Sequence, residues 1–94
     1  MGYGYSGGII DVFEQSDLPT YGKPGVPNAR YDLIVPGGRG HRGQKQSRYT
    51  DAHGNPVLDE DFNHGGEHEF PHYHRWVDGI RQQKSIEKGR SSNE

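Results

Sequence analysis

NARYDLIVPGGRGHRGQKQSRYTDAHGNPVLDEDF, residues 28–62, is the stretch that decides the fold of this chain. Its apolar and aromatic runs end at PGG and at DAHGNP, which are turn sequences. Three runs containing Val, Ile, Tyr or Phe therefore predict strands, over residues 30–35, 44–50 and 57–62. Strands joined by links of this kind pair as an antiparallel meander.

The sequence that follows predicts one more extended piece and a helix. Residues 69–74 form a fourth strand, irregular or at an edge, because Pro71 has no backbone N–H to donate. Residues 75–88 predict a helix, although Gly79 weakens it by roughly 1 kcal/mol relative to alanine. The predicted fold class is a small α+β domain, a three- to four-stranded antiparallel sheet with a C-terminal helix and flexible termini.

The chain divides by composition into an arm, a compact part and a tail. Residues 1–27 are rich in glycine and proline and can hold a short helix that ends near Asp17. Residues 28–88 are expected to form the compact His-rich α+β domain, and residues 89–94 are disordered by composition. The mean hydropathy of −1.12 approaches that of disordered chains, but six Tyr, three Phe and one Trp favour a core. That core is expected to contain Tyr31, Tyr49, Phe62, Phe70, Tyr73 and Trp76.

Composition excludes several classes of site. The chain has no cysteine, so disulfides and thiolate metal sites are ruled out, and a metal would have to bind to His, Asp and Glu. No apolar run approaches the roughly 20 residues of a membrane span, and the first residues lack the basic region and apolar stretch that are typical of a signal peptide. We therefore expect no membrane partner and a cytoplasmic location where the chain is made. The net charge of −2 gives no overall attraction to nucleic acid.

Charge is nevertheless distributed unevenly along the chain. Residues 39–48 contain four cations and no acid, whereas residues 59–69 contain five acids and no Lys or Arg. Side by side, these two segments would form a phosphate-binding edge next to a reactive centre. The plainer interpretation is a solvated hairpin of mixed charge.

Four of the six histidines stand in one run, HGGEHEFPHYH, residues 64–74. Histidine titrates near neutral pH and is also the commonest metal ligand. His72 and His74 share one face of an extended segment, as metal ligands require, but the run lacks the HExxH pattern of metalloproteases. A site for zinc or another divalent metal would draw on His64, His68, His72, His74, Asp59 and Asp61.

Cleavage of RNA at a 2′-hydroxyl is the alternative chemistry, and it needs a base, an acid and a cation but no metal or other cofactor. His72 or His74 would be the base or the acid, with the other oriented by Asp59 or Asp61. The predicted catalytic residues are His72, His74, His68, Arg48 and Tyr49. The predicted substrate-binding residues are Arg39, Arg42, Lys45, Arg75 and Tyr73, since aromatic rings commonly hold exposed RNA bases.

A structural role is the competing interpretation of these residues. A histidine on a small polar domain is most often exposed or hydrogen-bonded to a neighbour, and His41 and His53 in glycine-rich loops fit that description. His64 fits a residue that supports a turn, and Phe70 and Trp76 fit a core. Clustering of four histidines weakens this interpretation without removing it.

The order of several motifs resembles a C-terminal effector domain of bacterial polymorphic toxins and their standalone relatives in prophages and mobile elements. The motifs are NARYDL at 28–33, QSRYTDAHGNPV at 46–57, DED at 59–61, His64, and HEFPHYHRW at 68–76. The most specific part is the His-x-Phe-Pro-His-x-His-x-Trp pattern of the last motif. The resemblance implies a small α+β ribonuclease toxin with candidate residues Arg48, Tyr49, Asp59, Asp61, His64, His68, His72 and His74.

The function expected from the sequence is therefore RNA cleavage by histidine acid–base catalysis. The partners would be RNA and a cognate immunity protein, and a larger toxin would deliver the domain into the cytoplasm of a target bacterium. The alternative is a phage or mobile-element protein that binds a host or competitor protein. In that case the histidines would form an interface or a structural metal site. A metal-dependent hydrolase is the third interpretation, and the oligomeric state stays open.

Overall fold

The computed structural model describes residues 6–35, 37, 44–62, 72–83 and 86–87. Within these ranges the chain forms seven strands and a single 3-10 turn at Gln15–Asp17. The strands are β1 Gly8–Val12, β2 Ala29–Val35, β3 Gln44–Thr50, β4 Pro56–Asp61, β5 His72–Val77, β6 Ile80–Arg81 and β7 Ile86–Glu87. No helix in the described ranges has the length and apolar character needed to cross a bilayer.

All seven strands belong to one sheet with a simple order. The order is β1-β2-β3-β4-β5-β6, and β7 also pairs with β5. β1 runs parallel to β2, whereas every other pair is antiparallel. The three central strands, β2 to β4, lie where the sequence predicts them, because each is bounded by turn residues that stop a strand locally.

The predicted fold class is wrong in two respects. The sheet has seven strands rather than three or four, and the described residues contain no α-helix. Residues 75–77 complete β5, and Asp78 and Gly79 then turn the chain into β6 with φ values of 54° and 81°. An Asp-Gly pair with positive φ at both residues is the preferred two-residue hairpin turn. Gly79 therefore belongs to a hairpin turn between two strands, and the predicted helix over residues 75–88 is wrong.

The short helix expected to end near Asp17 is also wrong for most of its length. Gly8–Val12 is β1, and helical backbone is confined to the three residues of the 3-10 turn. β1 is parallel to β2, so the chain must cross the sheet between them, and residues 13–28 make that crossing. We call this segment the crossing arm.

The apolar core lies under the crossing arm, at the β1–β2 end of the sheet. Its members are Val12, Leu18, Ala29, Tyr31 and Leu33, with Ile10 packed against them. Of the core predicted from the sequence, Tyr31 and Tyr49 are buried, Tyr73 and Trp76 are half-buried, Phe62 is exposed, and Phe70 lies outside the described residues. The aromatic residues of β5 thus contribute less to the core than expected, and the core cluster of the described chain contains no residue of β5.

Cross-strand register assigns the polar side chains to two faces. Tyr31, Arg48, Asp59 and His74 are consecutive partners across β2 to β5, so they share one face, here called the Arg48 face. Their chain neighbours point to the opposite side, the Tyr49 face. A strand places alternate residues on alternate faces, so each predicted site residue in a described strand has a definite side.

Candidate functional site

Two adjacent cross-strand rows on the Arg48 face bring the histidines of β5 next to the carboxylates of β4. One row contains Arg48, Asp59 and His74, and the next contains Gln46, Asp61 and His72. Arg81 in β6 reaches both rows by hydrogen bonds to Asp59 and Asp61. We call these seven residues the histidine cluster. It is the place where the described chain concentrates acid–base groups.

Asp59 is the buried centre of the cluster, with 0% of its surface exposed. Arg48 donates to it through Nε at 2.8 Å and Nη2 at 2.9 Å. Arg81 donates through Nε at 2.7 Å, and Gln46 through Nε2 at 3.1 Å. A buried carboxylate is costly unless it is paired and hydrogen-bonded, and here two guanidinium groups and an amide meet that need.

Arg48 contacts the crossing arm as well as neighbouring strands, so it joins the arm to the sheet. Its Nη1 donates to the Pro19 carbonyl oxygen at 3.1 Å, and its guanidinium carbon lies 4.8 Å from the centre of the Trp76 ring. Its side chain is only 5% exposed. A guanidinium in this position binds Asp59 and the crossing arm, so it is poorly placed to receive a phosphate from solvent.

Asp61 and Arg81 form the more accessible side of the cluster. Arg81 Nη2 donates to Asp61 Oδ2 at 3.0 Å, and the Arg81 side chain is 32% exposed. His74 Nε2 lies 3.6 Å from the same Asp61 oxygen. His74 is itself buried, at 9% exposure, so the cluster grades from the enclosed Arg48–Asp59 pair and the imidazole to a partly exposed carboxylate and cation.

His74 has a defined tautomer when it is neutral. Its Nδ1 is 3.0 Å from the backbone carbonyl oxygen of Gln82. A carbonyl oxygen only accepts, so Nδ1 carries the proton and Nε2 keeps its lone pair. That lone pair is on the side of the ring near Asp61, whose Oδ2 lies 3.6 Å from Nε2.

The Tyr49 face carries a separate polar network. Arg30 donates to Asp32 through Nε and Nη2, both at 2.9 Å, and Ser47 Oγ donates to Asp32 at 2.7 Å. Burial raises the pKa of the Asp32 carboxyl, but the hydrogen bonds from Arg30 and Ser47 and the charges of Arg30 and Lys45 outweigh it. The net result is a lowered pKa.

Glu60 links two tyrosines on the same face. The Tyr49 hydroxyl donates to one carboxylate oxygen and the Tyr73 hydroxyl to the other, each at 3.0 Å. Nearby, Lys45 Nζ lies 5.0 Å from the centre of the Phe62 ring. These contacts account for the low exposure of Tyr49 and Glu60 on this side of the sheet.

The predicted site residues are thus divided between the two faces. His72, His74, Arg48, Asp59 and Asp61 lie on the Arg48 face, whereas Tyr49, Lys45, Tyr73 and Arg75 lie on the Tyr49 face. Arg39, Arg42, His64 and His68 lie outside the described residues. The histidine pair and its carboxylates therefore come together, while the tyrosines and the other cations proposed to assist them are on the other side of the sheet.

Sequence reasoning did not select Arg81, Gln46 or Gln82. For Arg81, the sequence does contain a signal, the Asp78-Gly79 turn, because a two-residue hairpin there pairs Arg81 with Trp76. Trp76 is two residues from His74 and shares its face, so Arg81 would have followed onto the Arg48 face.

The carboxylates and histidines of the cluster fit a metal poorly in this arrangement. The oxygens of Asp59 are already occupied by Arg48, Arg81 and Gln46. Within the described ranges, no group of three or more His, Asp or Glu side chains is arranged to hold a metal ion. Two residues of the predicted metal set, His64 and His68, fall outside those ranges.

Comparisons of the chain with protein families, with curated proteins and with solved structures found no significant match. The resemblance to toxin effector domains therefore stays a prediction.

Proposed function

We propose that the chain is a ribonuclease with the histidine cluster as its active site. The 2′-hydroxyl of the RNA attacks the neighbouring phosphate, and no metal takes part in the reaction. The observation that carries the proposal is that two buried histidines, His72 and His74, lie beside the partly exposed Asp61 and Arg81. These residues supply a base, an acid, a carboxylate and a cation, which is the set that the reaction needs.

His74 is the base in this proposal. Its Nδ1–H is engaged by the Gln82 carbonyl, so the Nε2 lone pair is available to take the proton of the 2′-hydroxyl. Asp61 stabilises the imidazolium that forms, because its Oδ2 is 3.6 Å from Nε2. Orientation by a backbone acceptor and stabilisation by a carboxylate are what a histidine base requires.

His72 is the acid, two residues away on the same face of β5. Residues at this spacing lie roughly 7 Å apart along a strand, a separation that a single phosphate can span. The 2′-oxygen attacks phosphorus as His74 takes its proton, and the bond from phosphorus to the 5′-oxygen breaks. Protonated His72 gives its proton to that leaving oxygen, so the products are a 2′,3′-cyclic phosphate and a 5′-hydroxyl.

Arg81 is the cation that binds the phosphate, in place of Arg48 and Arg75. Its Nε and Nη2 are bound to the carboxylates, but its Nη1 makes no hydrogen bond to any described residue. A guanidinium that two carboxylates hold through Nε and Nη2 can offer its Nη1 to a phosphate oxygen. Asp59 and Asp61 hold it in place.

The test is incubation of the purified chain with total RNA in the presence of a chelator. We expect cleavage to continue and to yield 2′,3′-cyclic phosphate ends. His74→Ala and His72→Ala should each lower kcat about 10²- to 10⁴-fold. His53→Ala, in an exposed turn, is the matched histidine control and should leave the rate unchanged. Full activity in both cluster variants, or activity that the chelator abolishes, contradicts the proposal.

The second candidate is a protein that binds a host or competitor protein, and one observation favours it. Among the described strands β1 pairs only with β2, so its other edge is open, and it carries Ile9 at 55% exposure and is followed by Phe13 at 61%. Open edges with apolar side chains invite pairing with another chain. If expression is toxic, the two candidates separate: Ile9→Asp with Phe13→Asp abolishes a binding function, whereas His74→Ala abolishes the enzyme.

Taken with the sequence resemblance, the ribonuclease would be a toxin that acts in the cytoplasm of a target bacterium. A cognate immunity protein would neutralise it in the producing cell. The division of roles among His72, His74 and Arg81 does not depend on how the chain reaches its substrate.

A further inference from the structure

Tyr21 is an exposed aromatic residue that the proposed reaction does not use, and backbone hydrogen bonds hold the turn that carries it. It stands at the tip of a turn in which Thr20 N donates to Lys23 O at 3.1 Å and Lys23 N donates to Thr20 O at 2.9 Å. Gly22 completes the turn with a φ of 90°. The base of the turn is anchored, because Leu18 is fully buried and Arg48 binds the Pro19 carbonyl.

The Tyr21 ring lies flat on the turn between β5 and β6. A Cβ atom built on Gly79 would be 2.6 Å from Cγ of Tyr21 and 2.9 Å from both Cδ atoms. Equal distances to the two Cδ atoms, both longer than the distance to Cγ, place that position above the plane of the ring. One face of the ring therefore rests on glycine backbone. The side chain is still 66% exposed, so the opposite face is open to solvent.

The Tyr21 ring is linked to the proposed phosphate site through the glycine on which it packs. Gly79 is two residues before Arg81 in the chain, a separation of roughly 7 Å along an extended backbone. The crossing arm that carries Tyr21 also meets the cluster, through Arg48 and Pro19. A nucleotide whose phosphate binds Arg81 can therefore place its base near Tyr21.

We propose that the open face of Tyr21 is a stacking platform for a nucleobase next to the phosphate that Arg81 binds. The proposal rests on the ribonuclease function. Stacking on an aromatic face is how proteins commonly hold unpaired RNA bases, and it tolerates any base because every base has a π face. A ring held rigidly over a glycine loses little freedom when a base stacks on it.

The test compares Tyr21→Ala with Tyr21→Phe and Tyr21→Leu, each checked for an unchanged melting temperature. Binding is measured by fluorescence anisotropy with a short 2′-O-methylated oligoribonucleotide, which cannot be cleaved through its 2′-oxygen. Loss of one stacked base should weaken binding about 5- to 150-fold in the alanine and leucine variants. Tyr21→Phe should bind as the native chain does. On cleavable RNA, the alanine variant should raise KM while kcat changes little.

An oligonucleotide with a single abasic position supplies the second arm. At one position the abasic site should remove the difference between Tyr21→Ala and the native chain, because the stacked base is then missing. Equal binding by all three variants, or binding by Tyr21→Leu as tight as by Tyr21→Phe, overturns the stacking proposal. Cleavage that persists in that case leaves the ribonuclease function standing. A native chain that binds RNA with the stacking signature but does not cleave it overturns the ribonuclease function instead.

Discussion

Asp59→Asn is the change that most directly tests how the cluster is held together. The asparagine has the same shape but lacks the charge, and it keeps one of the two carboxylate oxygens. If that oxygen takes the place of Oδ2, it can still accept from Arg81, Gln46 and one nitrogen of Arg48. The bond from Arg48 Nε to Oδ1 is then lost, and an amide N–H faces that donor.

The size of the effect follows from these contacts. A hydrogen bond to a charged group contributes about 1.5–3 kcal/mol. The Arg48 guanidinium, 5% exposed, also loses the charge that compensates its burial. Breaking a buried ion pair by neutralising one partner typically costs about 3–5 kcal/mol. A domain of this length has a free energy of unfolding of roughly 5–14 kcal/mol, so the variant loses a large part of it.

Urea unfolding followed by Trp76 fluorescence and by far-UV circular dichroism measures this loss. In thermal unfolding, the same loss should lower the melting temperature by about 12 °C or more. Asp61→Asn is the matched control: Asp61 is 19% exposed and accepts from Arg81 Nη2, so the change should cost about 1–2 kcal/mol. A loss below about 1 kcal/mol for Asp59→Asn, or equal losses for both variants, would refute the view that the Arg48–Asp59 pair is the buried centre of the cluster.

Two further predictions concern the free energy of unfolding at low pH and one close backbone contact. The pKa of Asp32 is lowered from 3.8, so the unfolded chain binds more protons there, and stability is lost as the pH falls through the lowered value. Asp32→Asn should therefore flatten the fall in the free energy of unfolding below about pH 4 in urea titrations, and an unchanged slope would contradict the assignment. Gly54 and Gly22 both have positive φ, but only at Gly54 would a Cβ overlap the Gly25 carbonyl. Gly54→Ala should cost at least 1 kcal/mol more than Gly22→Ala, and equal melting temperatures would show that the contact does not matter.

The central meander was predictable because its signals are local. PGG and DAHGNP bound the strands in the sequence, and the structure has β2 before PGG, β3 between the two motifs and β4 from the last residue of DAHGNP onward. The same locality put His72 and His74 on one face, since any strand alternates its side chains. By contrast, Ile9, Ile10 and Val12 form a short apolar run that fits a strand or a helix equally well. Pairing with β2, a partner distant in the chain, decided for a strand.

The faces on which residues meet were decided by register between strands. The sequence predicts both Arg48 and Tyr49 as partners of the histidines, but adjacent residues of one strand point to opposite sides. The pairing of Arg48 with Asp59 and of Asp59 with His74 determines which of the two joins the cluster. A slip of one residue would exchange them, and a single sequence carries no direct signal of that register.

The amino-acid sequence by itself determined the turns, the alternation within each strand and the concentration of imidazoles and carboxylates in β4 and β5. The tertiary structure decided the rest: it buried Arg48 against Asp59 and Pro19, it brought Arg81 to Asp61, and it laid Tyr21 on Gly79. The physical reason is the range of the forces involved. Turn and strand preferences act between chain neighbours, whereas the burial of a charge depends on partners that only folding brings together.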